Sequence, residues 1–230
     1  MNKRDRNSGW ENLQKRWYWG AGAYQIPKMR ACRALLVKDW VDFECASSVP
    51  MDRRPLTGVH FFLYDRHFER LWRSPDVYVP MLRTFGAVAQ PDFSIYTDFP
   101  EALCIYNVYR NAWLGCYLQE KGVNVVPTLL WSDERSDAYC WDGYPETGIF
   151  MVSTVGSLKK DRLPGFLRGW EEMQRRLAPD RILVYGKLPP GLEGQGEEIE
   201  PFVARLRRRA GKEEPCPKHM QAGSEAAPGA

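Results

Sequence analysis

The chain has 230 residues, of which 44% are hydrophobic and 13% aromatic, enough for one domain with a full hydrophobic core and tails. Its formal net charge of +3 gives no indication of a polyanionic partner. It shows no signal peptide, no apolar run of the roughly 18 residues that a membrane span needs, and no CxxC pair among its six cysteines. These features predict a cytoplasmic protein with reduced cysteines and no membrane contact.

The first predicted unit is a basic, aromatic arm at residues 1–30. It contains seven Lys or Arg residues against two acidic residues. The aromatic residues interleaved with them are Trp10, Trp17, Tyr18, Trp19 and Tyr24. Such residues can bind phosphates and stack on bases. Because their spacing is irregular, we favour the other interpretation, in which the rings pack on the domain and the charges face water.

Residues 31–192 are predicted to form an α/β domain. The strands expected from alternating or continuous apolar patterns lie at 40–46, 59–64, 87–94, 123–131, 149–155 and 181–187. The helices expected between them lie at 66–73, 74–85, 101–121 and 163–177. Asp98 and Glu101 suggest a capping box at the start of the longest helix. Strands that alternate with helices predict βαβ units on a parallel sheet of about six strands. The sheet is either an incomplete, barrel-like (β/α) arrangement, which we favour slightly, or open and doubly wound.

Two further units are predicted after the domain. The apolar spacing of Ile199, Phe202, Val203 and Leu206 predicts a docking helix within residues 193–210. Residues 211–230 are rich in Gly, Ala, Pro and Glu and are expected to be disordered.

A functional site is expected at the carboxyl ends of the strands, where parallel α/β folds bind ligands. The catalytic candidates there are Asp92, Asp98, Asp133 and Glu134. The binding candidates are Asp65, Ser94, Trp131, Arg135, Ser153, Thr154 and Lys187. Asp92 is the hardest to explain structurally, because a carboxylate inside an apolar strand needs a partner. Either a cation such as Arg135 or Lys187 should lie among the acids, or one acid should have a raised pKa.

Several catalytic motifs are missing from the sequence. It has no glycine-rich nucleotide-binding loop, no zinc-protease motif and no nucleophile-elbow motif. His60 and His67 are the only histidines before residue 193, which argues against a histidine triad. The cofactor is unknown: Mg²⁺ held by the four catalytic candidates is the most that we expect, and no zinc, since Cys216 and His219 form a poor metal site.

Five segments, in order, resemble the domain-of-unknown-function family 4417. They are VHFFLYD at 59–65, PDFSIYTD at 91–98, WSDER at 131–135, VSTVG at 152–156 and VYGK at 184–187. The resemblance covers about residues 20–192. It implies a setting in phages and conjugative elements of Firmicutes and their relatives, and it brings no established activity.

Two function classes therefore stay open. One is an enzyme or nucleic-acid-processing factor that uses the acidic site on nucleotides or nucleic acid. The other is a non-catalytic protein that binds a host or phage partner or nucleic acid through its Trp-rich surface and basic arm. The sequence leaves the oligomeric state open.

Overall fold

The computed structural model describes residue 12 and residues 15–202. The first strands of the described residues form a short antiparallel hairpin of β1 (Gly20–Ala21) and β2 (Ile26–Pro27). Seven parallel strands follow: β3 (Asp39–Asp42), β4 (Thr57–His60), β5 (Ala87–Ala89), β6 (Val125–Val126), β7 (Thr147–Ser153), β8 (Ala178–Tyr185) and β9 (Glu197–Ile199).

The helices connect these strands as crossovers. They are α1 (Glu69–Arg73) and α2 (Pro75–Leu82) between β4 and β5, α3 (Glu101–Glu120) between β5 and β6, and α4 (Leu163–Arg176) between β7 and β8. Within the described residues no helix is long and apolar enough to cross a membrane.

The strands lie side by side in chain order. Strands β3 to β6 form one sheet and β7 to β9 another. A parallel bridge between Thr128 and Met151 joins them, where Met151 N donates to Pro127 O at 2.9 Å and Leu129 N donates to Met151 O at 2.7 Å. The predicted parallel α/β architecture is confirmed. The order contains no reversal, which a doubly wound sheet would need. The described strands do not close into a barrel, since β3 and β9 are not paired with each other.

Side chains alternate between the two faces of the curled strands. Val59 and Val88 point outward into a core beneath the helices that includes Trp113 of α3. Trp40, Ala89, Val126, Met151 and Leu183 instead form an inner cluster. The strands curve enough for His60 on β4 to reach Tyr185 on β8, with ring centroids 4.3 Å apart. Gly58 allows this curvature, because a Cβ there would lie 2.5 Å from the Trp40 ring.

The docking helix predicted within residues 193–210 is wrong at its start. Glu197–Ile199 form β9, which pairs with Leu183, Val184 and Tyr185. The edge of β8 offers unpaired backbone groups, and pairing with them outweighs the helical spacing. Residues 203–230, with the rest of that helix, the predicted tail, Cys216 and His219, lie outside the described residues.

Two boundaries also differ from expectation. The strand predicted to continue to residue 94 ends at Ala89, since Pro91 has no N–H to donate. Helix α3 has Pro100 at its N-cap and no side-chain cap, so Asp98 does not form the predicted capping box.

The predicted arm is partly integrated into the domain. Ile26 is fully buried, Met29 belongs to the core, and Tyr18 packs edge-on against Trp113 at 6.0 Å. In contrast, Trp17 and Trp19 are 58% and 89% exposed.

Candidate functional site

Asp65 and Asp92, which we call the carboxyl pair, follow the adjacent strands β4 and β5. Asp65 begins a single 3₁₀ turn after β4 and accepts hydrogen bonds from the backbone N–H of Ser94 (3.1 Å to Oδ2) and from its hydroxyl (2.9 Å to Oδ1). Asp92 is half-buried as a residue, yet its Oδ1 is buried and has no hydrogen-bond partner in the described part of the chain.

The two carboxyl groups have different environments. Burial raises the pKa of Asp92 well above its ordinary value, and the nearby negative charge of Asp65 raises that pKa further. Asp65 receives the serine donors, whereas Asp92 receives none at Oδ1. The arrangement therefore favours a proton on Asp92, which matches the expectation that one acid has a raised pKa.

Helix α3 holds the segment that carries Asp92 and Ser94. Asn111 accepts from Phe93 N at 2.8 Å and donates to Phe93 O at 3.1 Å, while Asn107 donates to Ser94 O at 2.6 Å. The guanidinium of Arg110 lies 3.6 Å from the Phe93 ring centroid. This helix therefore satisfies the backbone where the strand has ended and fixes the position of the pair.

A second polar group, the Asp133 loop (residues 132–137), follows β6. Asp133 and Arg135 form an ion pair at 2.7 Å, and a hydrogen bond from Arg135 lowers the pKa of Asp133. Arg135 also donates to Thr97 O at 2.9 Å, which ties the loop to the segment after Ser94. An open groove of about 370 Å³ is lined by Asp133, Glu134, Arg135, Gly165 and Arg168.

Of the remaining predicted residues, three make contacts within the fold and two are exposed. Trp131 stacks on Trp141 at 5.7 Å and contacts Phe166 at 5.3 Å. Ser153 accepts from Val155 N, and Thr154 donates to Tyr185 O. Asp98 and Glu134 are exposed.

Lys187 does not lie among the acids of the single cleft that was expected. Its side chain is 82% exposed and forms an ion pair with Glu198 on β9 at 2.7 Å. Lys187 therefore does not provide the predicted positive charge among the acids, because β9 supplies a closer acidic partner.

No three His, Cys, Asp or Glu side chains among the described residues come together as a possible metal site. The described residues therefore contain no preformed three-residue site for the Mg²⁺ that was expected. The cysteines of that region, at 32, 45, 104, 116 and 140, form no disulfide with one another.

Sequence reasoning missed a third group, which we call the inner group: Asp42, His60 and Tyr185. Each ends a strand, on β3, β4 and β8, and each is at most 4% exposed. Asp42 and His60 are register partners. The available signal was an ionisable residue at the end of each apolar strand, on the same alternating face as Trp40, Gly58 and Leu183.

Comparison with known proteins gives a family and a setting. The chain is 39% identical over 175 residues to the Gene 1 protein of Mycobacterium phage D29, an alignment that spans 73% of this chain and 62% of that protein. It is 34% identical over 175 residues to the Gene 1 protein of Mycobacterium phage L5, spanning 73% of each. Both are phage proteins, which supports the phage setting; both are from phages of mycobacteria, so the Firmicutes part of the expectation gains no support. No solved structure matches the chain.

The model of the family described as "Domain of unknown function (DUF4417)" matches residues 18–202. That range includes all five segments on which the resemblance was based, as well as β9 and part of the predicted arm. The chain belongs to the DUF4417 family.

Proposed function

We propose that this phage-type protein is an enzyme that uses the carboxyl pair for acid–base catalysis on a nucleotide or nucleic acid. The observation that carries the proposal is Asp92, a buried carboxyl with an unpartnered oxygen beside Asp65. A carboxyl group with a raised pKa can act as an acid while a neighbouring carboxyl group acts as the base.

The roles follow from the surroundings of each group. Asp92, which burial keeps protonated, donates a proton to a leaving group. Asp65, held by Ser94, accepts a proton from the attacking nucleophile. A positioned acid or base of this kind contributes about 10²–10⁴-fold to rate.

The substrate class is supported by the surroundings and the setting. Arg135 is 55% exposed beside the groove of the Asp133 loop, and a guanidinium is suited to binding phosphate. Because the relatives are phage proteins, the phosphorylated compounds of the host cytoplasm are the first substrates to test.

The test compares Asp92→Asn and Asp65→Asn with the wild type in nuclease, nucleotide-hydrolysis and base-exchange assays. We expect each variant to lose at least 100-fold in rate while keeping the far-UV circular dichroism spectrum of the folded wild type. Asp52→Asn, at an exposed position before β4, is the matched control. Glu134→Gln measures whether the Asp133 loop takes part. Wild-type turnover that survives both Asp92→Asn and Asp65→Asn would overturn the assignment.

A second candidate, a binding protein, is favoured by a different observation. Trp17, Tyr18, Tyr24, Tyr106 and Tyr109 line an aromatic groove of about 370 Å³ between the hairpin and α3. Aromatic residues dominate binding hot spots and also stack on single-stranded bases.

Point variants test this candidate better than deletion of residues 1–30, which would remove the buried Ile26 and Met29. The double variant Trp17→Ala/Tyr24→Ala, at two exposed residues that line the groove, should lose at least tenfold in affinity for single-stranded oligonucleotides, or lose a host protein that the wild type retains. Leu36→Ala, at a position 79% exposed elsewhere, is the control. Equal retention by the double variant would contradict this function.

A further inference from the structure

The inner group brings three ionisable side chains together inside the curled sheet. Asp42 and His60 lie side by side on β3 and β4, and the Tyr185 ring reaches them from β8. Burial raises the pKa of Tyr185, and the nearby Asp42 carboxyl group adds to that increase. All three stand at the carboxyl ends of parallel strands, where ligand sites form in such folds.

Within the described residues, no structural role explains the polar ring nitrogens of His60. It is 1% exposed, and neither Nδ1 nor Nε2 has a hydrogen-bond partner among the residues described. Leaving buried donors and acceptors unpaired costs free energy, and an apolar residue of similar size would avoid that cost. Ala89, Val126 and Met151, on the same inner face, belong to an apolar cluster.

Phe62 covers this group. Its ring is half-buried and lies 5.5 Å from the His60 ring and 4.8 Å from the Tyr185 ring. It sits on a tight turn beyond β4, in which Leu63 N donates to Phe61 O, rather than in a strand. A side chain on such a turn can move away without breaking the sheet.

We propose that the inner group is a binding site for a flat, uncharged heterocycle of the pyrimidine-base kind, which enters when the Phe62 ring turns away and presents its polar edge to His60. The ligand does not copy the position of the Phe62 ring, which is stacked on the His60 ring, because the in-plane nitrogens of His60 would then stay unpaired. His60 supplies one donor and one acceptor to the polar edge of the ligand. The Tyr185 hydroxyl accepts from Phe202 N at 2.8 Å and keeps its own proton to donate.

The ligand should be uncharged because the interior disfavours charge on the protein groups. Burial lowers the pKa of His60 to about 3 and raises the pKa of Asp42. A phosphate would meet no cationic side chain within the inner group, whereas a base offers aromatic faces and hydrogen-bonding edges. This site is separate from the carboxyl pair and does not depend on the proposed reaction.

The test is equilibrium dialysis of the full chain with labelled cytosine, uracil and benzene. We expect cytosine or uracil to bind the wild type saturably and Phe62→Ala at least tenfold more tightly, with benzene weaker than that base on both. Adding His60→Leu to Phe62→Ala should reduce base affinity at least tenfold while Tm stays equal or rises.

His67→Leu, which changes a histidine paired with Glu44 outside the inner group, is the matched control and should leave base binding unchanged. The proposal is overturned if neither base binds the wild type or Phe62→Ala. It is also overturned if benzene binds Phe62→Ala as tightly as the bases, since that would be only an apolar cavity, or if His60→Leu leaves base affinity unchanged.

Discussion

Asp92 and Asp133 each follow a strand of the same sheet, but the two loops that carry them are held in different ways. The loop of Asp92 is fixed by neutral amides of α3, Asn107 and Asn111, and no cation contributes to the pKa of its carboxyl group. The loop of Asp133 is fixed by its own arginine, Arg135. The same side chain therefore has a raised pKa in one loop and a lowered pKa in the other. The protein can therefore hold a protonated carboxyl group after β5 and a charged carboxylate after β6.

The largest effect should come from removing the amide support of the first loop. Asn111→Ala leaves the buried N–H and C=O of Phe93 unpaired, so we expect a loss of about 2–4 kcal/mol in the free energy of unfolding. Urea unfolding measures this loss. Gln174→Ala, an amide on the exposed side of α4, controls for the change of residue type. A loss no larger than that of the control would show that α3 does not hold the loop.

The second prediction concerns the raised pKa of Asp92. A carboxyl group whose pKa is higher in the folded state stabilises the fold most below its unfolded pKa of about 4, and this contribution is lost as pH rises toward the folded pKa. Asp92→Asn removes that dependence. Its stability relative to the wild type should increase by at most about 1.4 kcal/mol per pH unit above about pH 4.

Urea unfolding of both proteins between pH 4 and pH 8 checks this slope. A difference between wild type and Asp92→Asn that stays constant with pH would mean that Asp92 ionises normally in the fold.

The third prediction has the opposite sign. Because the pKa of Asp133 is lowered, its contribution is present above about pH 4 and is lost as pH falls further. Asp133→Asn should cost less than about 1 kcal/mol at pH 7 and nothing near pH 3, since the side chain is 36% exposed and solvent screens the pair.

Salt provides an independent check, because 1 M NaCl should reduce the cost of Asp133→Asn and leave the Asp92→Asn difference nearly unchanged. Equal salt effects on the two variants would remove the contrast between the loops.

The smallest effect is expected at Lys187. Its ion pair with Glu198 is exposed on the edge strand β9, so Lys187→Ala should leave Tm within experimental error. A marked loss of Tm would show that this lysine has a partner in the domain beyond Glu198.

The sequence alone determined the class of fold. Continuous apolar strands at 59–64 and 123–131, with helices and a further strand between them, already indicate a parallel sheet with helical crossovers. It also identified Asp92 as the acid that needed explanation, because a carboxyl group inside an apolar segment is costly wherever the chain folds. These conclusions depend on local pattern, which a sequence carries in full.

Only the tertiary structure decided which strand-end residues meet. Asp65 lies near Asp92 and Ser94 because β4 and β5 are neighbours, while Lys187 turns to Glu198 because β9 forms where a helix was expected. The inner group depends on the curvature of the sheet, which brings His60 and Tyr185 together across 125 positions of the chain. Register, curvature and edge pairing are set by contacts between distant segments, so no local pattern contains them.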